Sequence, residues 1–204
     1  MKLKLATAAV AAAGSVALVA APALADTFVG TSGDDRIAGT QGRDTIRGLA
    51  GADDLIGRGG ADFIRGNPGR DDVRGGTGGD FLLGDRGNDV VRGGHRGDTV
   101  TGGDGSDVIA GGAGPDEVTE YLAGEFFNSP NDRDWLYGGR GEDRLALFDG
   151  RDKVFAGNQH DVVRLQRDGF RDVVQCGRGF DRVAYFSPRD GRDVLMGCER
   201  VVVH

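Results

Sequence analysis

Cysteine, histidine and lysine are scarce in this 204-residue chain, and no long apolar run follows its first 25 residues. The three histidines, His95, His160 and His204, share no spacing that would bring two onto one metal, so a histidine zinc centre is not expected. Ser32, Ser106, Ser129 and Ser187 lie in no nucleophile motif. Lysine is nearly absent. Setting aside Lys2 and Lys4, the 23 remaining basic residues are 22 arginines and Lys153, against 32 acidic residues, a net charge of −9. That balance argues against nucleic acid and anionic membrane as partners and suits a cationic ligand.

The one apolar run has the layout of an export leader. Lys2 and Lys4 supply a positive start, and the stretch between Leu5 and Ala21 is almost unbroken Ala, Val and Leu. Ala23-Leu24-Ala25 then places small residues at both specificity positions of a signal peptidase site. The run is shorter than the ~20 residues a membrane span needs, and no positive stop-transfer cluster follows it. Residues 1–25 are therefore read as a signal peptide, and the mature chain as secreted and starting at Asp26. In an oxidising compartment Cys176 and Cys198 are most simply one disulfide, two free thiols being the alternative.

What the chain has in abundance is glycine, 38 residues of it, and the glycine is periodic. Read in nines from Gly30, ten blocks run without a gap to Thr119, among them GTSGDDRIA, GLAGADDLI and GGDGSDVIA. The first slot is Gly in all ten, the sixth is Asp and the eighth is aliphatic, while the fourth is Gly in nine, with Arg96 the exception. Residues 120–137 continue as two degenerate blocks with Glu125 and Asp134 in the acidic slot and Phe127 and Leu136 in the apolar slot. Three more blocks carry Asp143, Asp152 and Asp161, making fifteen from Gly30 to Arg164. A disordered linker has no reason to hold an aliphatic residue at every ninth position; this phase marks a core.

Each block divides into a six-residue turn and a three-residue extended piece whose middle side chain points inward. Two blocks make an 18-residue coil, so parallel strands stack ~4.8 Å apart and fifteen blocks give a rod about 36 Å long. Stacking lines the acidic slots into two columns. Asp35, Asp53, Asp71, Asp89, Asp107, Glu125, Asp143 and Asp161 form one; Asp44, Asp62, Asp80, Asp98, Asp116, Asp134 and Asp152 form the other. Carboxylates so repeated repel unless a cation lies between them, and an all-oxygen, flexible ligand set selects calcium over magnesium. The core is thin, and glycine loses the most entropy on ordering, so the metal is expected to supply the missing stabilisation.

These blocks resemble the hemolysin-type (RTX) calcium-binding repeat, GGxGxDxUx, well over residues 30–119 and loosely over 120–164. The resemblance implies an all-β parallel β-roll, a right-handed β-solenoid, with several calcium ions held between turns. By it the metal ligands are Asp35, Asp44, Asp53, Asp62, Asp71, Asp80, Asp89, Asp98, Asp107, Asp116, Asp134, Asp143, Asp152 and Asp161, with turn carbonyls completing the shell. The second Gly is present only in some blocks, such as those of Gly76, Gly94, Gly103 and Gly112. The fifth slot departs from the usual Asn or Asp at Arg43, Arg70 and Pro115, which implies weak or absent binding at those turns. With its leader, the chain is similar to short, stand-alone calcium-binding proteins secreted by actinobacteria rather than to toxins and proteases carrying the repeat. Repeat and cap fill the mature chain and leave no room for a catalytic domain, so an enzyme is not expected.

From Leu165 the period breaks, but Asp172-Val173-Val174, Asp181-Arg182-Val183 and Asp193-Val194-Leu195 read as irregular further rungs, closed by Val201-Val202-Val203. Residues 165–204 are thus a capping segment. The ending QCGRGFDRV…GCERV resembles the paired-cysteine ending of the same secreted proteins, which implies a Cys176–Cys198 disulfide. Phe63 and Phe81 fall on one outward column, with Trp135 and Tyr137 further along. They read as cross-rung packing, or as an exposed patch on an adhesin or structural spacer that docks a cell-surface partner.

Overall fold

The structure, a computed structural model, describes residues 8–9, 25–121, 132–166, 168–185 and 191–203. Every regular element among them is a parallel strand, and no helix is long and apolar enough to cross a membrane. Alternate blocks contribute to two facing sheets. One holds Thr27–Val29, Thr45–Arg47, Phe63–Pro68 and so on to Arg200–Val203; the other runs from Arg36–Ala38 through Asp54–Gly59 to Val194–Met196. Partners in the regular part lie 18 residues apart, as in Phe63 opposite Phe81 and Val73 opposite Val91. The chain is a parallel β-solenoid, as the nine-residue period requires. Ala8–Ala9, within the expected leader, pairs with Phe28 and Val29 at the end of the first sheet.

The core is one side chain deep. Ile46, Leu55, Ile64, Val73, Leu82, Val91, Val100, Ile109 and Val118, all eighth-slot residues, are completely buried, and Leu136, Val154, Val163, Val174 and Val183 continue the row. Burial alternates along most strands, such as Asp72–Thr77 and Val90–His95, which is why the neighbours of these aliphatics can be arginine or aspartate. Outside, Arg36, Asp54, Arg74, Asp72 and Arg92 form a ladder of solvent-facing ion pairs, an arrangement that contributes little to stability. The aromatics take the packing role: Phe63 stacks on Phe81 at 5.5 Å, Tyr137 on Phe155 at 5.0 Å, and Lys153 caps the Trp135 ring.

Two expectations need correction. Extended structure is longer than three residues: from Asp54–Gly59 onward most regular strands have six, because hydrogen bonding continues through the first three slots of the next block. The second concerns the count of rungs. The register jumps from 18 to 27 between Val108 and Trp135 and between Glu117 and Arg144. Nine more residues separate these partners than in the coils before, so the columns exchange: Asp134 stands over Asp107 and Asp143 over Asp116, the reverse of the simple count. Glu125 and Phe127, assigned to a rung, lie outside the described residues.

Toward the cap the spacing widens to 20 or 21 residues, Val154 opposite Val174 and Val174 opposite Leu195, and returns to 18 at the last pair, Val183 opposite Val201. Cys176 and Cys198 are bonded, closing a separation of 22 residues, with Cys176 inside the core. A loop of that size contributes about 3 kcal/mol in the chain-entropy description. Tyr185, fully buried, ends the core, and its hydroxyl donates to Asp193 Oδ2 at 3.1 Å.

Candidate metal centre

Every sixth-slot aspartate among the described residues but the half-buried Asp35 is buried, a placement carboxylates tolerate only when their oxygens are satisfied. One oxygen is. The backbone N–H of each slot aspartate donates to Oδ1 of the aspartate one coil later: Asp53 to Asp71 at 2.9 Å, Asp71 to Asp89 and Asp89 to Asp107 at 2.8 Å. The ladder starts at Asp26, whose N–H donates to Asp44, and crosses the register jump from Asp107 to Asp134 and Asp116 to Asp143. It continues through Asp152, Asp172 and Asp193 on one side and Asp161, Asp181 and Glu199 on the other.

The second oxygen is not satisfied. Oδ2 of Asp53, Asp62, Asp71, Asp80, Asp89, Asp98, Asp107, Asp116, Asp143, Asp152, Asp161 and Asp181 is buried without a hydrogen-bond partner. For Asp53 through Asp98 it lies against the first-slot glycine of its own block, where the carbonyl oxygen of the first-slot glycine one coil on also converges; Asp107 and Asp116 keep only the glycine, and Asp143 has the Ala156 carbonyl in place of a glycine's. A Cβ at Gly57 would stand within 3 Å of both Asp62 Oδ2 and the Gly75 carbonyl, and one at Gly66 would meet Asp71 Oδ2 and the Gly84 carbonyl alike. This crowding explains why the first slot admits only Gly through Gly111. A carboxylate oxygen and a carbonyl oxygen meeting in a dry cradle form a hard, all-oxygen donor set, and calcium fits it.

Electrostatics agree. Burial pushes the carboxyl of Asp62 up to about 6, Asp71 and Asp98 to about 7 and Asp107 to about 8, against the lowering effect of the backbone N–H each accepts, with neighbouring carboxylates raising them further. Asp134 and Asp172 are pushed up to about 9 and about 8 in the same way. Without a cation these groups take up protons at a higher pH than an exposed carboxylate does.

The aspartates are not all alike. In the first two blocks the second oxygen is already taken: Thr31 and Thr40 donate from their N–H to Oδ2 of Asp35 and Asp44 at 2.5 and 2.6 Å, and from Oγ1 at 3.0 Å. From the third block to the tenth the second-slot residue takes positive φ, at Leu49, Arg58, Asn67 and Asp85 as well as at Gly76, and Oδ2 is left open; Asp152 Oδ2 is open too, although its second-slot Phe148 is outside that region and gives its N–H to Glu120. The second slot, rather than the fifth, decides which turns are open. Asp71 and Asp116 follow Arg70 and Pro115, yet both have an unpartnered Oδ2.

Six acidic residues joined to the ladder or its cradles were not among the expected ligands: Asp26, Glu120, Asp172, Asp181, Asp193 and Glu199. The Asp-Val-Val and Asp-Arg-Val triplets of the cap carried a signal for Asp172 and Asp181; Glu120 showed only as a first slot that is not Gly. His95 is the exposed last residue of the strand Val90–His95, and His160 Nδ1 accepts the N–H of Phe180, so neither stands in the carboxylate ladder. His204, Ser129 and Ser187 lie outside the described residues.

Four stretches of the chain, residues 29–64, 65–95, 83–118 and 131–163, match the family model of the RTX calcium-binding nonapeptide repeat. The interval between the last two coincides with the register jump. No curated protein matches the chain.

Proposed function

From the premise that the chain belongs to the RTX calcium-binding nonapeptide-repeat family, we propose that it is a secreted, non-catalytic protein whose roll is folded by calcium. The ions are held between turns from Asp53 to Asp181. The supporting observation is the row of buried Oδ2 atoms with no partner. Each is a site where only a proton or a cation restores the balance, and a divalent ion bridges oxygens from two successive coils. Asp35 and Asp44, closed by threonine, are left out of the ligand set. The leader reading of residues 1–25 and the bonded cysteines support export, since such bonds persist in oxidising compartments.

Calcium titration of the mature chain by circular dichroism tests this. In chelator the carboxylate columns repel and the one-residue core cannot offset chain entropy, so the chain is expected to be largely disordered. β signal should appear as calcium reaches the ~0.1–1 mM range of extracellular modules. Identical spectra in chelator and in millimolar calcium would refute the reading.

A further inference from the structure

Glu120 occupies a first slot, the position that is Gly in every preceding block, and it is completely buried. It stands at the register jump. In the coils that follow, the equivalent position on this side carries the buried side chains Leu147, Leu165 and Tyr185, which extend the apolar core into the turn. A carboxylate in that row is an anomaly. Its Oε2 accepts one backbone N–H, from Phe148 at 2.9 Å, and its Oε1 has no partner.

Nothing basic compensates it: no Lys, Arg or His makes an ion pair with Glu120 among the described residues. Instead it faces more acid. Oxygens of Glu120, Asp134 and Asp152 all lie within 4.8 Å of one another, all three residues are buried, and the Glu120 and Asp152 carboxyl groups are close enough to share a proton where no cation sits between them. Three buried carboxylates at such separation cannot all stay ionised without a cation, and the purely oxygen donor set selects a hard one. Elsewhere the cradle is built from one carboxylate and glycine carbonyls; here a third slot-independent carboxylate enters. Affinity of such oxygen sites rises with the number of charged ligands.

We propose that Glu120, Asp134 and Asp152 form a calcium site of a different kind from the repeat turns, filled before them, which fastens the stack at the register jump. This rests on the reading of the chain as calcium-binding. The probe is terbium, a calcium substitute whose emission is excited through the adjacent Trp135, the chain's single tryptophan. Substoichiometric terbium should give tryptophan-sensitised emission in the full mature chain, and Glu120→Gln should shift that first phase to at least ~10-fold higher concentration. Glu117→Gln, an exposed acid outside the slot, should leave it in place.

Because Glu120→Gln leaves a buried polar group behind, Glu120→Leu serves as the second variant, giving this row the side chain it already carries at Leu147. It should fold in calcium and, by native mass spectrometry at limiting calcium, bind one ion fewer than the parent. Titrations that superimpose for parent and Glu120→Gln, or an unchanged ion count in Glu120→Leu, would overturn the site while leaving calcium binding by the turns intact. Absence of calcium binding in the parent would instead refute the reading on which the site rests.

Discussion

The first two blocks and those from Gly48 onward share the same glycines, the same acidic slot and the same core position, yet they solve the burial of an aspartate differently. In the former, Thr31 and Thr40 donate both backbone N–H and hydroxyl to Asp35 and Asp44, and the strands stop after three residues. In the latter, the second slot turns to positive φ, its N–H points elsewhere, strands reach six residues and Oδ2 is stranded. The state of one backbone position separates a closed, hydrogen-bonded turn from one whose second carboxylate oxygen has no partner. The repeat is thus two modules in one register, and on the proposed function only the second kind needs metal at its own turns.

The largest difference should come from removing the acid itself. Asp89→Asn should abolish one calcium and destabilise the coils on either side, by about 2.7 kcal/mol if calcium stands at a hundred times the site's dissociation constant. Asp35→Asn should leave the calcium count untouched, because Thr31 already occupies the oxygen. Isothermal calorimetry counts the ions, and an equal loss in both variants would erase the distinction between the modules. Asp85 is a poor control for slot specificity: Arg65 donates to both of its oxygens, at 2.7 Å through Nη2, so its loss costs an ion pair. Glu117 is a better one.

Much of this was legible in the sequence. The phase of Gly, Asp and aliphatic residues specifies strand direction, core and acidic columns because each slot obeys a hard steric or solvation demand. Three things were not. The register jump near residue 120 is invisible because Glu125 and Phe127 keep the repeat's spacing in the sequence; register is set by pairing, and pairing tolerates nine extra residues between partners. The closing role of Thr31 and Thr40 depends on φ, which the residue type biases only weakly where Leu49 and Arg58 also reach positive values. Glu120 reads as one more degenerate glycine until the stack brings Asp134 and Asp152 beside it.

Protons offer a second, smaller handle on the same contrast. In the metal-free fold the open aspartates have carboxyls raised by burial from 3.8 to about 6 at Asp62 and Asp89, about 7 at Asp71 and Asp98, and about 8 at Asp107. A raised folded-state value means stability that is complete below the unfolded range near 3.8 and is lost as pH climbs through 6 to 8. In chelator, acidification from about pH 8 to about pH 5 should therefore restore part of the β signal. In millimolar calcium the same acidification should weaken folding instead, because protons compete for the ligands. A chelated chain that is equally disordered at both pH values would show that the open turns do not govern folding.

The finest test substitutes glycine at the second slot on each side of the boundary. At Leu49 the backbone stands at φ 83°, a conformation that costs a side-chain-bearing residue roughly 1–2 kcal/mol, and the side chain is 39% exposed. Leu49→Gly removes that strain, part of which the greater freedom of the unfolded chain takes back, so the calcium-loaded protein should gain about 0.5–1 kcal/mol. At Thr40 the backbone is outside the left-handed region, and Oγ1 both donates to Asp44 and accepts the N–H of Gly42 at 3.0 Å. Thr40→Gly loses those bonds and leaves buried donor and acceptor unmet, a cost of about 1–3 kcal/mol at low calcium. It also frees the second slot to take positive φ and so releases Asp44 Oδ2, which should add one weak calcium site and make the loss recoverable at high calcium. The same substitution thus acts with opposite sign nine residues apart, and thermal melts of both variants across a calcium series read it directly. Leu49→Gly and Thr40→Gly shifting the melt in the same direction at every calcium concentration would mean that the second slot does not separate the two modules.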